Sequence, residues 1–264
     1  MNLICLSALT SADIHTIWSL VPEAPHAMNA NVAWSFEGNG IRTRTTFIQA
    51  FRDLGLAFTE LPNLLKTGER VVDLAGYLDA FYDLYVIRES DHARLYEFAT
   101  TTGRPVINAM SSEGHPCEVL TDAYFVETSL LPLTQARVCL WGPPTNVLRS
   151  WHELAAVLGF TVSHVCHAKH HTSKANVQFS TAPPHRADLV ITDGWPKGTE
   201  DTATSLTQEH LAAMGLPKLL PTPPFSIGRE LAFDPLVYPG FVGYRQKDLL
   251  LTVQRAIVRW ALSR

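Results

Sequence analysis

A chain of 264 residues, 46% of them hydrophobic, has material for one large domain or two modest ones, each with its own core. Its 25 acidic residues against 21 basic ones, a formal net charge of −4, argue against a nucleic-acid scaffold. No apolar run reaches transmembrane length, and the opening Met1-Asn-Leu-Ile-Cys-Leu6 lacks a basic n-region. We therefore expect no signal peptide, no membrane partner and a soluble cytoplasmic chain. The cysteines at 5, 117, 139 and 166 show neither paired nor zinc-type spacing and read as free thiols in a reducing compartment.

In chain order, the first informative stretch is Phe36-Glu-Gly-Asn-Gly-Ile-Arg-Thr-Arg-Thr-Thr-Phe47. An extended run over 31–36 enters a glycine loop. A helix follows, with Phe47, Ala50, Phe51 and Leu54 on one face and Gly55 as its stop. Two arginines and two threonine hydroxyls thus stand at a helix N-terminus, where free N–H groups and the helix dipole favour an anion. Gly38 and Gly40 let the backbone approach a ligand. The residues alone also fit a plain glycine turn with two solvated arginines.

Short apolar runs at 84–87 and 106–110 read as strands. After the second comes His115-Pro-Cys-Glu-Val-Leu-Thr-Asp122. Pro116 suits the first position of a helix, with Val119, Leu120, Ala123 and Val126 as its buried side. His115 and Glu118 then share one face at its start. This histidine fits a cap or core residue as well as a catalyst.

Leu131-Pro-Leu-Thr-Gln-Ala136 reads as a join between two units. Strand-like runs follow at 138–141, 160–165 and 189–192. Between the first two lies a helix with Val147, Leu148, Trp151, Leu154, Ala155 and Leu158 apolar, closed by Gly159. Alternation of this kind predicts α/β architecture, with two doubly wound parallel sheets and helices on both faces of each. Trp34, Trp141 and Trp151 fit the core. The turn Trp141-Gly-Pro-Pro-Thr-Asn146 lacks G-x-G-x-x-G spacing, so no dinucleotide cofactor is expected. His164-Val-Cys-His-Ala-Lys-His-His171 offers ligand types with no partner cluster elsewhere. It begins on the apolar 160–165 strand and runs into a polar surface loop, and no metal is expected. A last helix over 248–262 carries Leu249, Leu250, Val253, Ile257 and Trp260 as its apolar face, with Arg255, Arg259 and Arg264 read as a solvated face.

Taken together, these stretches resemble the carbamoyltransferases, the family of ornithine and aspartate carbamoyltransferase. Gly40-Ile-Arg-Thr-Arg44 stands where the family has Ser-Thr-Arg-Thr-Arg, and His115-Pro-Cys-Glu118 where it has His-Pro-x-Gln. Tyr85-Val-Ile-Arg88 is similar to the strand ending in a carbamoyl-binding arginine, and Lys66-Thr-Gly-Glu-Arg-Val-Val-Asp73 to the Lys-Gly-Glu-Ser loop. Asn146 matches the Asn of a Gly-x-x-x-Asn turn, and Asp188-Leu-Val-Ile-Thr-Asp-Gly-Trp195 an ornithine-type Asp-Val-Trp strand end.

The resemblance implies transfer of a carbamoyl group from carbamoyl phosphate to an amine of an ornithine-like or specialised acceptor, without a cofactor. It implies phosphate binding by Gly40, Ile41, Arg42, Thr43 and Lys66, catalysis by Arg88, His115 and Glu118, and acceptor binding by Asn146 and Asp193. It further implies a carbamoyl phosphate domain over 1–132, an amine domain over 133–245, and a terminal helix over 246–264 returning to the first domain. It also implies a hinge near 131–134, and a homotrimer in which Lys66 reaches a neighbour's phosphate. There are departures. Gly40 and Ile41 replace two hydroxyl residues, and Glu118 replaces an amide by a carboxylate, which beside phosphate needs Arg88 or a substrate cation as partner. Pro221-Thr-Pro-Pro224 is the nearest counterpart of a His-Cys-Leu-Pro motif, and Pro196-Lys-Gly198 of a Ser-Met-Gly loop. The usual final arginine falls near Leu250. These leave open a transferase or lyase with another donor, and a binding protein without turnover.

Overall fold

The computed structural model describes residues 2–196, 198 and 204–263. Two compact units emerge. One takes in the chain up to Asp122 together with the stretch from Asp248 onward; the other is Ala123–Lys247. The division falls inside a helix, ahead of the 131–136 stretch.

The first unit holds a four-stranded parallel sheet of β1 (Asn31–Phe36), β2 (Ala57–Glu60), β3 (Leu84–Arg88) and β4 (Val106–Met110), in the order β2-β1-β3-β4. Leu3 adds a parallel bridge to Ile107 at the β4 edge. Strand alternation sends Trp34 to one face, where Phe47 and Phe51 of α2 (Ile41–Asp53) meet its ring with centroids 5.5 Å away. Ala33, Tyr85 and Ile87 face the other side, in a core shared with α3 (Val71–Leu78) and α4 (His92–Thr101). With both faces covered, β1, β3 and β4 are near-continuous apolar runs, as a parallel sheet requires.

α1 (Ser11–Ser19) starts on a reciprocal cap between Thr10 and Asp13, and it and α2 pack against α8 (Leu250–Leu262). The arginines of α8 are not a solvated face. Arg259 is 7% exposed and pairs with Glu23 at 2.6 Å; Arg255 pairs with Asp53 at 3.1 Å. Their stems cover apolar surface while the heads reach carboxylates on other elements. Arg264 lies outside the described residues.

α5 (Pro116–Ser129) leads into the second unit. Its parallel sheet comprises β5 (Val138–Trp141), β6 (Val162–Val165), β7 (Val177–Ser180), β8 (Leu189–Asp193) and β9 (Lys218–Thr222), in the order β7-β6-β5-β8-β9. α6 (Asn146–Leu158) joins β5 to β6 and ends at Gly159 with φ +76°, a left-handed stop. α7 (Gln208–Ala213) precedes β9. Among the described residues, no helix is long and apolar enough to cross a membrane.

Both sheets reverse direction once. From β1 the chain moves out to β2 and returns to the other side as β3; from β5 it moves out to β6 and β7 and returns as β8. Such reversals open a crevice at the carboxyl ends of the two strands concerned, where ligands bind in α/β sheets. In the first unit those ends are Phe36 and Arg88; in the second, Trp141 and Asp193.

Candidate functional site

At the β1–β3 reversal, the Glu37 N–H donates to the Arg88 carbonyl at 3.0 Å. The chain then turns through Gly38 (φ +69°) and Gly40 (φ +30°) into α2. The amides of Ile41, Arg42 and Thr43 precede the first intrahelical bond, from Arg44 N–H to Gly40 O at 2.9 Å, and so face outward from a positive helix end. The Arg88 guanidinium lies 5.6 Å over the Phe36 ring. Burial pulls its pKa down and nearby Arg42 adds to this, against the pull of Glu37. Arg44 is engaged with Glu60, whereas neither Arg42 nor Arg88 makes an ion pair among the described residues. A Cβ on Gly40 would come within 2.6 Å of the Phe36 ring and 2.9 Å of Arg88 Nη1. The missing serine side chain is thus replaced in space by an arginine and an aromatic ring.

Lys66 is held within its own chain. It pairs with buried Glu89 and lies 3.5 Å from Glu37 Oε1. The Ser90 N–H donates to Glu37 Oε2 at 2.6 Å, and the Arg94 side chain donates to the carbonyls of Leu65, Thr67 and Glu69. The 64–69 loop is therefore pinned from inside.

β4 ends beside Arg88, and the Ser111–Gly114 turn that follows is knotted by Asn108 and Ser111. It delivers His115 and Glu118, both buried, to the start of α5. Neighbouring Cys117 is fully buried, and burial pushes its thiol well above the usual range, so it is no thiolate nucleophile. The other three cysteines are free as well.

In the second unit, Gly142 follows β5 with φ +109°, and a Cβ there would sit 2.6 Å from Trp195 Nε1. Thr145 caps α6 by accepting from Leu148 N–H at 3.3 Å. Asn146 begins the helix, its Oδ1 accepting from Val147 N–H at 2.9 Å. Asp193, at the end of β8, is 8% exposed. Burial raises its pKa to about 7, opposed by hydrogen bonds from the Thr145 hydroxyl and Gly194 N–H and reinforced by the charge of Glu230. Glu230 accepts from the N–H groups of Trp195 and Ser226, both at 2.7 Å. Gly194 backs onto the Pro224 carbonyl, and Thr222 pairs with Asp193 across β8 and β9, so the 221–224 segment borders this carboxylate. Among the described residues, no group of three His, Cys, Asp or Glu side chains could hold a metal ion.

The model of the aspartate/ornithine carbamoyltransferase carbamoyl-P binding domain matches residues 3–128. The ornithine carbamoyltransferase of Rhizobium johnstonii is 28% identical over 98% of this chain and 97% of its own length. That of Caulobacter vibrioides is 30% identical over 61% of this chain, an alignment that spans 57% of the relative. By these matches the chain is similar to the aspartate/ornithine carbamoyltransferase family. Its fold is that of the ornithine carbamoyltransferase from Pyrococcus furiosus, with a TM-score of 0.89 at 21% identity, covering 99% of this chain and 97% of the other.

Within this carbamoyltransferase fold, Arg42 and Arg88 gather around the Gly38–Gly40 turn, and Thr145, Asn146 and Asp193 around the β5–β8 crevice. His164, where the 164–171 stretch begins on the expected strand, is fully buried on β6. Lys197, in the middle of the 196–198 segment, lies outside the described residues. Three participants carried no readable signal: Glu89, Glu230 and Arg94 act through partners 23 to 35 positions away in sequence.

Proposed function

We propose that this chain transfers a carbamoyl group from carbamoyl phosphate to the amine of an ornithine-like acceptor. One observation carries the reading: Arg42 and Arg88, two neighbouring guanidinium groups that make no ion pair among the described residues, stand at the open N-terminus of α2 and the reversal of a parallel sheet. Such a place attracts a dianion.

Arg42 and the amides at 41–43 hold the phosphate, with Gly40 giving the backbone its close approach; a guanidinium fork matches phosphate oxygens. Arg88 and His115 donate to the carbonyl oxygen, which gains charge as the neutral amine attacks the carbamoyl carbon. The C–O bond to phosphate breaks, its electron pair leaves with phosphate, and the amine proton follows. Glu118, an acceptor when ionised, receives the carbamoyl NH2. Asn146 and Asp193 bind the acceptor, Asp193 as counter-charge to an ammonium group. Positioning and charge stabilisation suffice for this chemistry. The reading includes a cytoplasmic homotrimer, which the family resemblance supports.

Calorimetric titration with carbamoyl phosphate tests it, with inorganic phosphate as control. Micromolar binding lost in Arg42→Ala, and a carbamoylated product from L-ornithine or another amine of a broad panel, are expected. Absent donor binding would overturn it.

A further inference from the structure

Two buried histidines in the second unit form a hydrogen-bonded rod that ends on the turn before Asn146. His152 Nε2 lies 2.8 Å from His164 Nδ1, and His164 Nε2 lies 2.8 Å from the Gly142 carbonyl oxygen. They are 3% and 0% exposed. A carbonyl only accepts, so His164 carries its proton on Nε2. Burial, together with each ring's charged neighbours, depresses both pKa values, to about 3 for His152 and about 4 for His164, so both rings are neutral. His164 Nδ1 then accepts, and His152 must donate from Nε2. His152 Nδ1 is left as a buried lone pair without a partner. Phe179 fixes the rings, stacked on His164 at 5.2 Å and edge-on to His152 at 5.6 Å.

The turn needs this brace. Pro143 and Pro144 have no N–H to give. Thr145 N–H closes the turn on the Pro143 carbonyl at 2.8 Å, so among the backbone groups of 142–145 it is Gly142 that ties the turn to the sheet, beside the Thr145 hydroxyl on Asp193. The Gly142 N–H donates to the Val165 carbonyl at 2.9 Å, and its carbonyl receives His164. The direction of that carbonyl sets the peptide plane leading into Pro143, and hence the path to Thr145 and Asn146. A purely apolar core would be served by leucine at 152 without an orphaned lone pair.

We propose that His152 and His164 are positioning residues which, through the Gly142 carbonyl, aim Asn146 at the second substrate. The proposal rests on the acceptor-binding role given to Asn146 above.

The experiment compares the full chain with His164→Leu, which removes the donor, and His164→Gln, whose amide can still reach Gly142. Two readouts are taken: KM for L-ornithine and for carbamoyl phosphate, and hydrogen exchange of the amides at 145–148. His164→Leu is expected to raise KM for ornithine about tenfold, the worth of one hydrogen bond, and to speed exchange at 145–148, with the carbamoyl phosphate constant unchanged; His164→Gln recovers both. Unaltered exchange at the turn, or equal shifts for both substrates that glutamine does not recover, overturns the proposal. Should the parent fail to carbamoylate ornithine, the proposed function falls, while the exchange readout still decides the brace. If His164→Leu does not fold, His152→Leu against His152→Gln is judged by the same criteria.

Discussion

The Thr145 hydroxyl serves two masters: it accepts the Leu148 N–H at the start of α6 and donates to Asp193 at the end of β8. Burial still dominates and raises the carboxyl from 3.8 to about 7. A raised carboxyl pKa means the folded state holds its proton longer than the unfolded state. The stabilising contribution is complete below about pH 4 and is lost as pH rises to about 7. Asp193→Asn, permanently neutral, should match the parent in melting temperature near pH 4 and exceed it at pH 8. Binding of a cationic acceptor needs the ionised form, so its affinity should fall about tenfold per pH unit below 7. A pH-independent acceptor KM between 5 and 8 would remove Asp193 from the ammonium site.

Glu230 raises the Asp193 pKa through its charge while accepting two backbone N–H groups. Glu230→Gln removes the charge and retains one acceptor oxygen. The midpoint of the acceptor pH profile should therefore move to lower pH. The lost second hydrogen bond costs about 1–3 kcal/mol, visible in denaturant unfolding. An unmoved midpoint would mean that the two carboxylates do not communicate.

Restoring the family's serine at position 40 should harm rather than help. Gly40 has φ +30°, and any Cβ would meet the Phe36 ring and Arg88 Nη1. Gly40→Ser and Gly40→Ala both force the left-handed conformation on an L-residue, at about 1–2 kcal/mol, and displace the guanidinium. Titration with carbamoyl phosphate should show weaker binding in both, by similar factors. Tighter binding in Gly40→Ser would show that the loop can reorganise.

What could be read from sequence follows from burial. β1, β3, β4, β5 and β8 are apolar nearly throughout because helices or loops cover both faces, so their runs stood out. β2 and β7 are edge strands with half-exposed, partly polar residues, and β9 carries Pro221, tolerated because an edge strand can spare one N–H. They left no comparable pattern. The glycine loop and its arginines were legible as a local arrangement. Arg255 was not, because its partner Asp53 is 202 positions away. His164 was legible as part of an apolar strand, but its pairing with His152, twelve positions earlier on α6, was not.

Lys66 shows the same limit. Its charge looked available for a neighbour's phosphate, yet Glu89 and Glu37 hold it within the chain, and its own pKa is raised chiefly by the hydrogen bond to Glu89. Glu89 is 2% exposed and would be stranded as an unpaired carboxylate without it. Lys66→Met should lower the melting temperature by about 2–4 °C, and the double variant Lys66→Met, Glu89→Gln should recover part of that loss, because the buried charge goes with its partner. The carbamoyl phosphate KM should change little in either. If instead the KM rises tenfold or more with no change in melting temperature, Lys66 leaves its carboxylates to meet the donor, and its pairing with Glu89 is a resting arrangement.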